Sequence, residues 1–189
     1  MGQTLWFASR ATGLVALPLL TTSLVLGVAG SARVASVGWP RFALAGLHRN
    51  ISLMTVLFLA VHVSTSIIDP YAGIRWLDAV VPFISGYHPF WLGLGAVALD
   101  LMLALIITSL LRTRLSHRLW RTVHWAGYLC WPVALVHGLG IGGKDTHLGW
   151  VISLNAACAL VVLVALVCRF RSTAHPDTEA RRAATVGGR

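Results

Sequence analysis

Five apolar runs, separated by shorter polar segments, set the plan of the chain. Each approaches the ~20 residues that a helix needs to cross a bilayer. Span one covers about Thr12–Gly30, span two Phe42–Ile68, span three Trp91–Leu111, span four Leu119–Gly140 and span five Leu148–Cys168. Pro18 falls inside span one and predicts a kink, which membrane helices tolerate better than soluble ones. Between spans two and three, the segment Asp69–Phe90 holds three prolines and several aromatic residues. That composition predicts an interfacial lid rather than a span. The expected fold is all-α: a polytopic transmembrane bundle over residues 1–170, with a disordered cytoplasmic tail over 171–189.

Composition supports the plan. The chain has 189 residues, 57% hydrophobic and only 11% charged, against about 25% charged in a soluble domain. Its net charge of +9 raises the question of nucleic acid. The arginines sit between apolar runs, however, where they orient spans rather than form one basic face, so a nucleic-acid partner is excluded and lipid is the expected surrounding. Arg33, Arg41 and Arg49 cluster around the first loop, and Arg112, Arg114, Arg118 and Arg121 around the third. The tail carries Arg169, Arg171, Arg181, Arg182 and Arg189. The alternate loops balance Arg75 against Asp69 and Asp78, and Lys144 against Asp145. This bias predicts a plasma (inner) membrane protein with its N-terminus outside and its C-terminus cytoplasmic. MGQTLWFASR has no cleavable-signal pattern, so span one is expected to be retained. Cys130, Cys158 and Cys168 lie in or at the end of apolar runs without a C-x-x-C, and read as small buried hydrophobes.

The candidate chemistry lies in the histidines. His48 and His62 bracket thirteen residues of span two. His124 and His137 bracket twelve residues of span four. An imidazole inside an apolar span is costly and needs a partner. Spans two and four run the same way, so His48 and His124 share the inner side and His62 and His137 the outer. A rise of ~1.5 Å per residue separates the two levels by about 20 Å. Two b-type haems, each clamped by one histidine from each span, would stack across the bilayer, and filling both axial positions favours electron transfer over oxygen binding. The plain alternative for any one of these residues is a hydrogen-bonded interior histidine; paired spacing on parallel spans favours haem. Fourteen residues at about 100° return to within about 40° of one face, but thirteen miss by about 140°. Pro132, with Gly127, is expected to supply the missing rotation. Gly46, Gly127 and Gly138 sit beside ligands, where a macrocycle needs room.

The H-x13-H and H-x12-H pairs on alternate spans, with SRATGLVAL at the start and RFALAGLHRN before the first histidine, resemble the ferric reductase-like transmembrane domain. That family includes ferric reductases, NADPH oxidases and the membrane subunit of the bacterial methionine sulfoxide reductase system. The resemblance covers about residues 9–170. It implies His48, His62, His124 and His137 as ligands of haem iron, two haem b, and an oxidoreductase role as an electron-transfer subunit. Five spans are visible where larger members have six. No dehydrogenase domain follows, so the donor is expected to be separate: a cytoplasmic reductase, a flavin or a quinol. The outer acceptor would be a ferric chelate or a redox protein. A quinol-linked membrane cytochrome b subunit is the alternative within this class, and two other classes remain: a haem-binding sensor or anchor without net electron transfer, and a structural or transport bundle whose histidines bind metal or protons.

Arg41, Arg49 and Arg121 flank the inner histidines and are candidates to bind haem propionates; plain topology and snorkelling explain them as well. Arg75 and Lys144 could do the same outside. Asp100 lies mid-span, and is expected to face the bundle interior, either beside a ligand histidine or bonded to a neighbouring polar side chain. His88, His117, His147 and His175 fall in loops or the tail and receive no ligand role.

Overall fold

The computed structural model describes residues 2–31 and 40–173. Arg33 and the expected tail from 174 onward lie outside them. The described residues are all helical or loop, with no strand. In chain order they form α1 (Gly2–Ser31), α2 (Arg41–Ile68), α3 (Trp76–Val80), α4 (Pro89–Leu110), α5 (His117–His124), α6 (Ala126–Ile141), a 3-10 turn (Gly143–His147) and α7 (Gly149–Thr173).

Four helical segments are long and apolar enough to cross a membrane: Thr4–Gly30, Phe42–Ile68, Pro89–Leu110 and Gly149–Arg171. The expected span four is divided. Its helix is interrupted at Trp125, between α5 and α6. There the Trp125 amide is shared between the carbonyls of Arg121 and Thr122, both at 3.2 Å, and Tyr128 N–H reaches back only three residues, to Trp125 O at 3.0 Å. That tightening to an i→i+3 pattern ends the regular ladder. Span one also starts earlier than its apolar run. Its polar residues find partners on other helices, so the helix extends back to Gly2. Ser9 Oγ meets Ser66 Oγ at 2.6 Å, and Arg10 Nε donates to Asp145 at 2.7 Å. α1 and α6 run on through Pro18 and Pro132.

Two antiparallel hairpins organise the bundle. α1 packs along α2, and α4 packs along α6. The contacts give the direction. Ser9, near the start of α1, meets the end of α2, while Ser23 meets Ser52 near its start. Trp91 of α4 meets His137, and Ala98 accepts from Cys130. The start of α1 and the end of α7 therefore lie at opposite ends: Arg10 pairs with Asp145 at one, and Arg169 lies over Trp125 and Tyr128 at the other. The histidine-bearing helices, α2 and α6, are not packed on each other; each is held by its own hairpin partner.

The core is small and sits where α1, α6 and α7 meet. Trp131, Cys158 and Val162 are buried there, against Leu17, Leu20 and Leu24 of α1. Much of the remaining apolar surface faces outward, as a bundle in lipid requires, where apolar burial does not drive helix association. One polar contact pins the core. Trp131 Nε1–H donates to Thr21 Oγ1 at 2.8 Å, and the Thr21 hydroxyl donates to Leu17 O at 2.9 Å. Thr21→Val should strand a buried indole N–H and cost about 1–3 kcal/mol. Adding Trp131→Phe should recover most of what that stranded donor costs. Unfolding of the purified protein in detergent, followed for both variants, checks this.

Candidate functional site: two facing histidine pairs

The four histidines come together in two pairs. The His48 and His124 rings face each other with centroids 6.4 Å apart and planes at 71°. His62 and His137 do the same at 6.4 Å and 77°. A direct imidazole–imidazole hydrogen bond would bring the centres closer. Two ring nitrogens sharing one metal, at ~2 Å each, with roughly 1 Å from each nitrogen to its ring centre, give a separation of roughly 6 Å. Fourteen residues of α2 set the levels about 21 Å apart.

Three of the four imidazoles are seated in one way. His62 Nδ1 donates to Ser9 O at 2.7 Å, His48 Nδ1 to Ser23 O at 2.9 Å, and His137 Nδ1 to Trp91 O at 2.8 Å. With Nδ1 protonated on a carbonyl, Nε2 is the free lone pair and the ring is fixed in orientation. Each ring also lies over a glycine one turn beyond that carbonyl. A Cβ at Gly13 would stand 2.9 Å from the His62 ring, one at Gly95 2.5 Å from His137, and one at Gly27 3.5 Å from His48. Two of these glycines thus admit the ring only because they lack a side chain. None of the three was singled out from the sequence. The signal was present: SRATG (9–13) and SLVLG (23–27) repeat Ser-x3-Gly at a 14-residue interval, the interval between His48 and His62.

His124 differs. It ends α5, and its ring stacks on Trp120, 4.9 Å away at 23°. Its Nδ1 and the Trp120 Nε1 are buried atoms with no hydrogen-bond partner among the described residues. The phase adjustment was expected at Pro132 and Gly127, but α6 runs continuously through both, and the helix is interrupted instead at Trp125, next to His124. Gly127 has only ordinary contact with Leu105, while Gly46 and Gly138 face open space.

An apolar cavity lies between the hairpins at the His62–His137 level. Gly13, Thr55, Leu59, Gly95, Met102 and Gly138 contribute to its wall. Residues of the Asp69–Phe90 segment, the expected lid, also line it, among them Tyr71, Asp78 and Tyr87. Within it Asp78 caps α3: Arg75 N–H donates to its carboxylate at 2.9 Å, and the guanidinium donates at 2.9 Å. Arg75 is therefore committed to Asp78. Arg10 also lines the cavity. It was not weighed as a site residue, although it is the one charged side chain in the first thirty residues.

The remaining candidates are less engaged. Arg49 and Arg121 are exposed, with no ion pair among the described residues. Arg41 opens α2 at the same end. Asp100 is partly buried, lies outside the cavity wall, and has no hydrogen-bond partner among the described residues; the structure does not bring it to a histidine. No cluster of three or more His, Cys, Asp or Glu side chains occurs among the described residues. Two-histidine pairs suit a metal whose other ligands come with a macrocycle, and the carbonyl-fixed rings and apolar cavity fit that group.

Fold and site together define an integral membrane helix bundle with histidine pairs at two depths. The model of the ferric reductase like transmembrane component matches residues 12–135, and the chain belongs to that family, whose character is that of a membrane redox component. The match takes in His48, His62 and His124 and stops two residues before His137. Neither the curated proteins nor the solved structures provide a match.

The Asp78 cap carries a pH dependence. The Arg75 hydrogen bond holds the Asp78 carboxyl below the usual carboxylate range. Its contribution is complete above the unfolded value of about 3.9 and is lost as pH falls through the lower folded value. Amide protection over residues 75–81, corrected for intrinsic exchange, should therefore hold down to about pH 3.9 and drop as the pH falls below it. Asp78→Asn should remove that drop.

Proposed function

We propose that the chain is a transmembrane b-type cytochrome that carries electrons between the two faces of the membrane. The observation that supports this most directly is the repetition of one ring separation, 6.4 Å, at two levels between α2 and the α5–α6 segment. His48 and His124 would hold one haem b, and His62 and His137 the other. Haem supplies a one-electron ferric–ferrous couple. The protein's part is to fix that couple in place. Ser9, Ser23 and Trp91 orient the ligand rings through their carbonyls. Gly13 and Gly95 leave the space the rings occupy. With both axial positions taken, no site is left for oxygen on the metal, which favours outer-sphere transfer. In this reading α5 and α6 together form span four.

Direction follows from charge. The arginine-rich end is cytoplasmic by the positive-inside rule, which places the N-terminus and the Asp69–Phe90 lid outside. Electrons then enter at the His48–His124 level from a separate reductase or a reduced flavin. A basic face attracts such acidic or anionic donors. They leave at the His62–His137 level to a ferric chelate or a redox protein. Arg41, Arg49 and Arg121 lie at the entry end, where they could meet propionates or the donor.

A pyridine haemochrome assay on the purified protein should give two haem b per chain. His62→Ala or Gly95→Ala should remove one, and Gly27→Ala neither. One haem or none in the unaltered protein would sink the reading.

Direction is tested in vesicles with the arginine-rich face exposed to a reduced flavin and an impermeant ferric acceptor enclosed. The acceptor should be reduced. Haem reduction by quinol alone, insensitive to the flavin, would favour a quinol-linked cytochrome instead.

A further inference from the structure

The two levels are not equivalent, and the difference lies in His124. At the outer level both imidazoles donate through Nδ1 to carbonyls, of Ser9 and of Trp91. At the inner level only His48 does so. The seat repeats every 14 residues along α1, at Ser9/Gly13 and Ser23/Gly27. The same step along α4, from Trp91 and Gly95, leads to Leu105 and Ser109. The glycine is missing there, and the His124 ring lies one turn back, on Trp120. Arg112, from the turn after α4, places its guanidinium 4.7 Å from the centre of the Trp120 ring. The result is a layered stack: cation, indole, imidazole, then His48 across the pair.

We propose that Arg112 and Trp120 are positioning residues that hold the inner haem at a higher reduction potential than the outer one; this rests on the haem reading above. Two effects act in the same sense. A ligand Nδ1–H on a carbonyl makes the imidazole a stronger donor and stabilises ferric iron. The outer site has two such bonds and the inner site one. A guanidinium behind the inner ligand disfavours the extra positive charge of ferric iron and so favours the electron's arrival. The step is one electron onto ferric iron, giving ferrous iron, with the cytoplasmic donor oxidised by one electron. Arg114, Arg118 and Arg121 share this end of the bundle, but Arg112 is the one stacked on the indole that backs a ligand. A readily reduced inner site would load from a modest donor. Onward transfer would then be drawn by the acceptor and by a membrane potential negative inside, which favours outward movement of an electron.

The test is a potentiometric titration of the full chain in detergent, followed in the α-band. Two one-electron waves are expected. In His62→Ala, which removes an outer ligand, the surviving wave should be the higher one. In the two-haem protein, Arg112→Gln should lower the higher wave selectively, and Arg112→Lys, which keeps the charge, should leave it near its original place. Trp120→Leu should also move that wave alone, by removing the stacked ring. A surviving lower wave in His62→Ala would overturn the proposal. So would a shift of both waves together in Arg112→Gln, or of neither. Failure of the unaltered protein to bind two haems would instead sink the underlying reading, and is seen before any variant is made.

Discussion

The hydrogen bond from a histidine Nδ1–H to a backbone carbonyl of the neighbouring helix is the contact on which the arrangement depends. A helical carbonyl is normally occupied by its own ladder, so accepting a second donor requires close approach. Glycine one turn away makes that approach possible for His62 and His137. The hairpins α1–α2 and α4–α6 are therefore spaced by their histidines, not only by packing. The same contact decides the tautomer. It directs each free nitrogen inward, across the gap that α2 and α6 leave between them.

This explains why so small a core suffices. Where α1, α6 and α7 meet, Trp131 and Thr21 fix the register of the second hairpin against the first. The rest of the bundle is held by specific polar contacts between helices: Ser9 with Ser66, Ser23 with Ser52, Arg10 with Asp145. In a solvent as apolar as the side chains, such contacts and close backbone approach replace burial as the source of association. A macrocycle inserted between the hairpins would add apolar contacts along their facing walls.

Much of this was legible in the chain. Apolar runs marked α2, α4 and α7 within a few residues, and α1 at its end but not its start; the histidine spacing marked the four side chains that come together. What escaped was set by contacts between segments. The start of α1 reads as a polar lead-in until Ser66 and Asp145 are known to satisfy it. The break at Trp125 leaves no proline or glycine at that residue; the proline that suggested a break, Pro132, lies inside a continuous helix. Arg112 reads as one more topological charge until Trp120 is found beneath it. Asp100 was expected to face inward because carboxylates in spans usually do; its partly buried, unpartnered position on α4 has no account in the described residues. The glycine seats were the avoidable miss, since Ser-x3-Gly recurs at the histidine interval.

The two ends of the bundle differ in a way that a symmetrical wire would not need. At the His62–His137 end, residues of the Asp69–Phe90 segment line the cavity, and Arg10 ties α1 to the turn before α7 through Asp145 and the Gly142 carbonyl. At the other end Arg49, Arg112, Arg114, Arg118 and Arg121 are exposed, and His124, the histidine that departs from the common seat, is the one nearest the last four in the chain. In the proposed reading, a covered exit would restrict which acceptors approach, because close contact is needed for transfer, while a basic entry would admit a donor by long-range attraction and release it as salt or charge changes. Selectivity at one face and turnover at the other are different demands, and such an asymmetry would meet each at its own face.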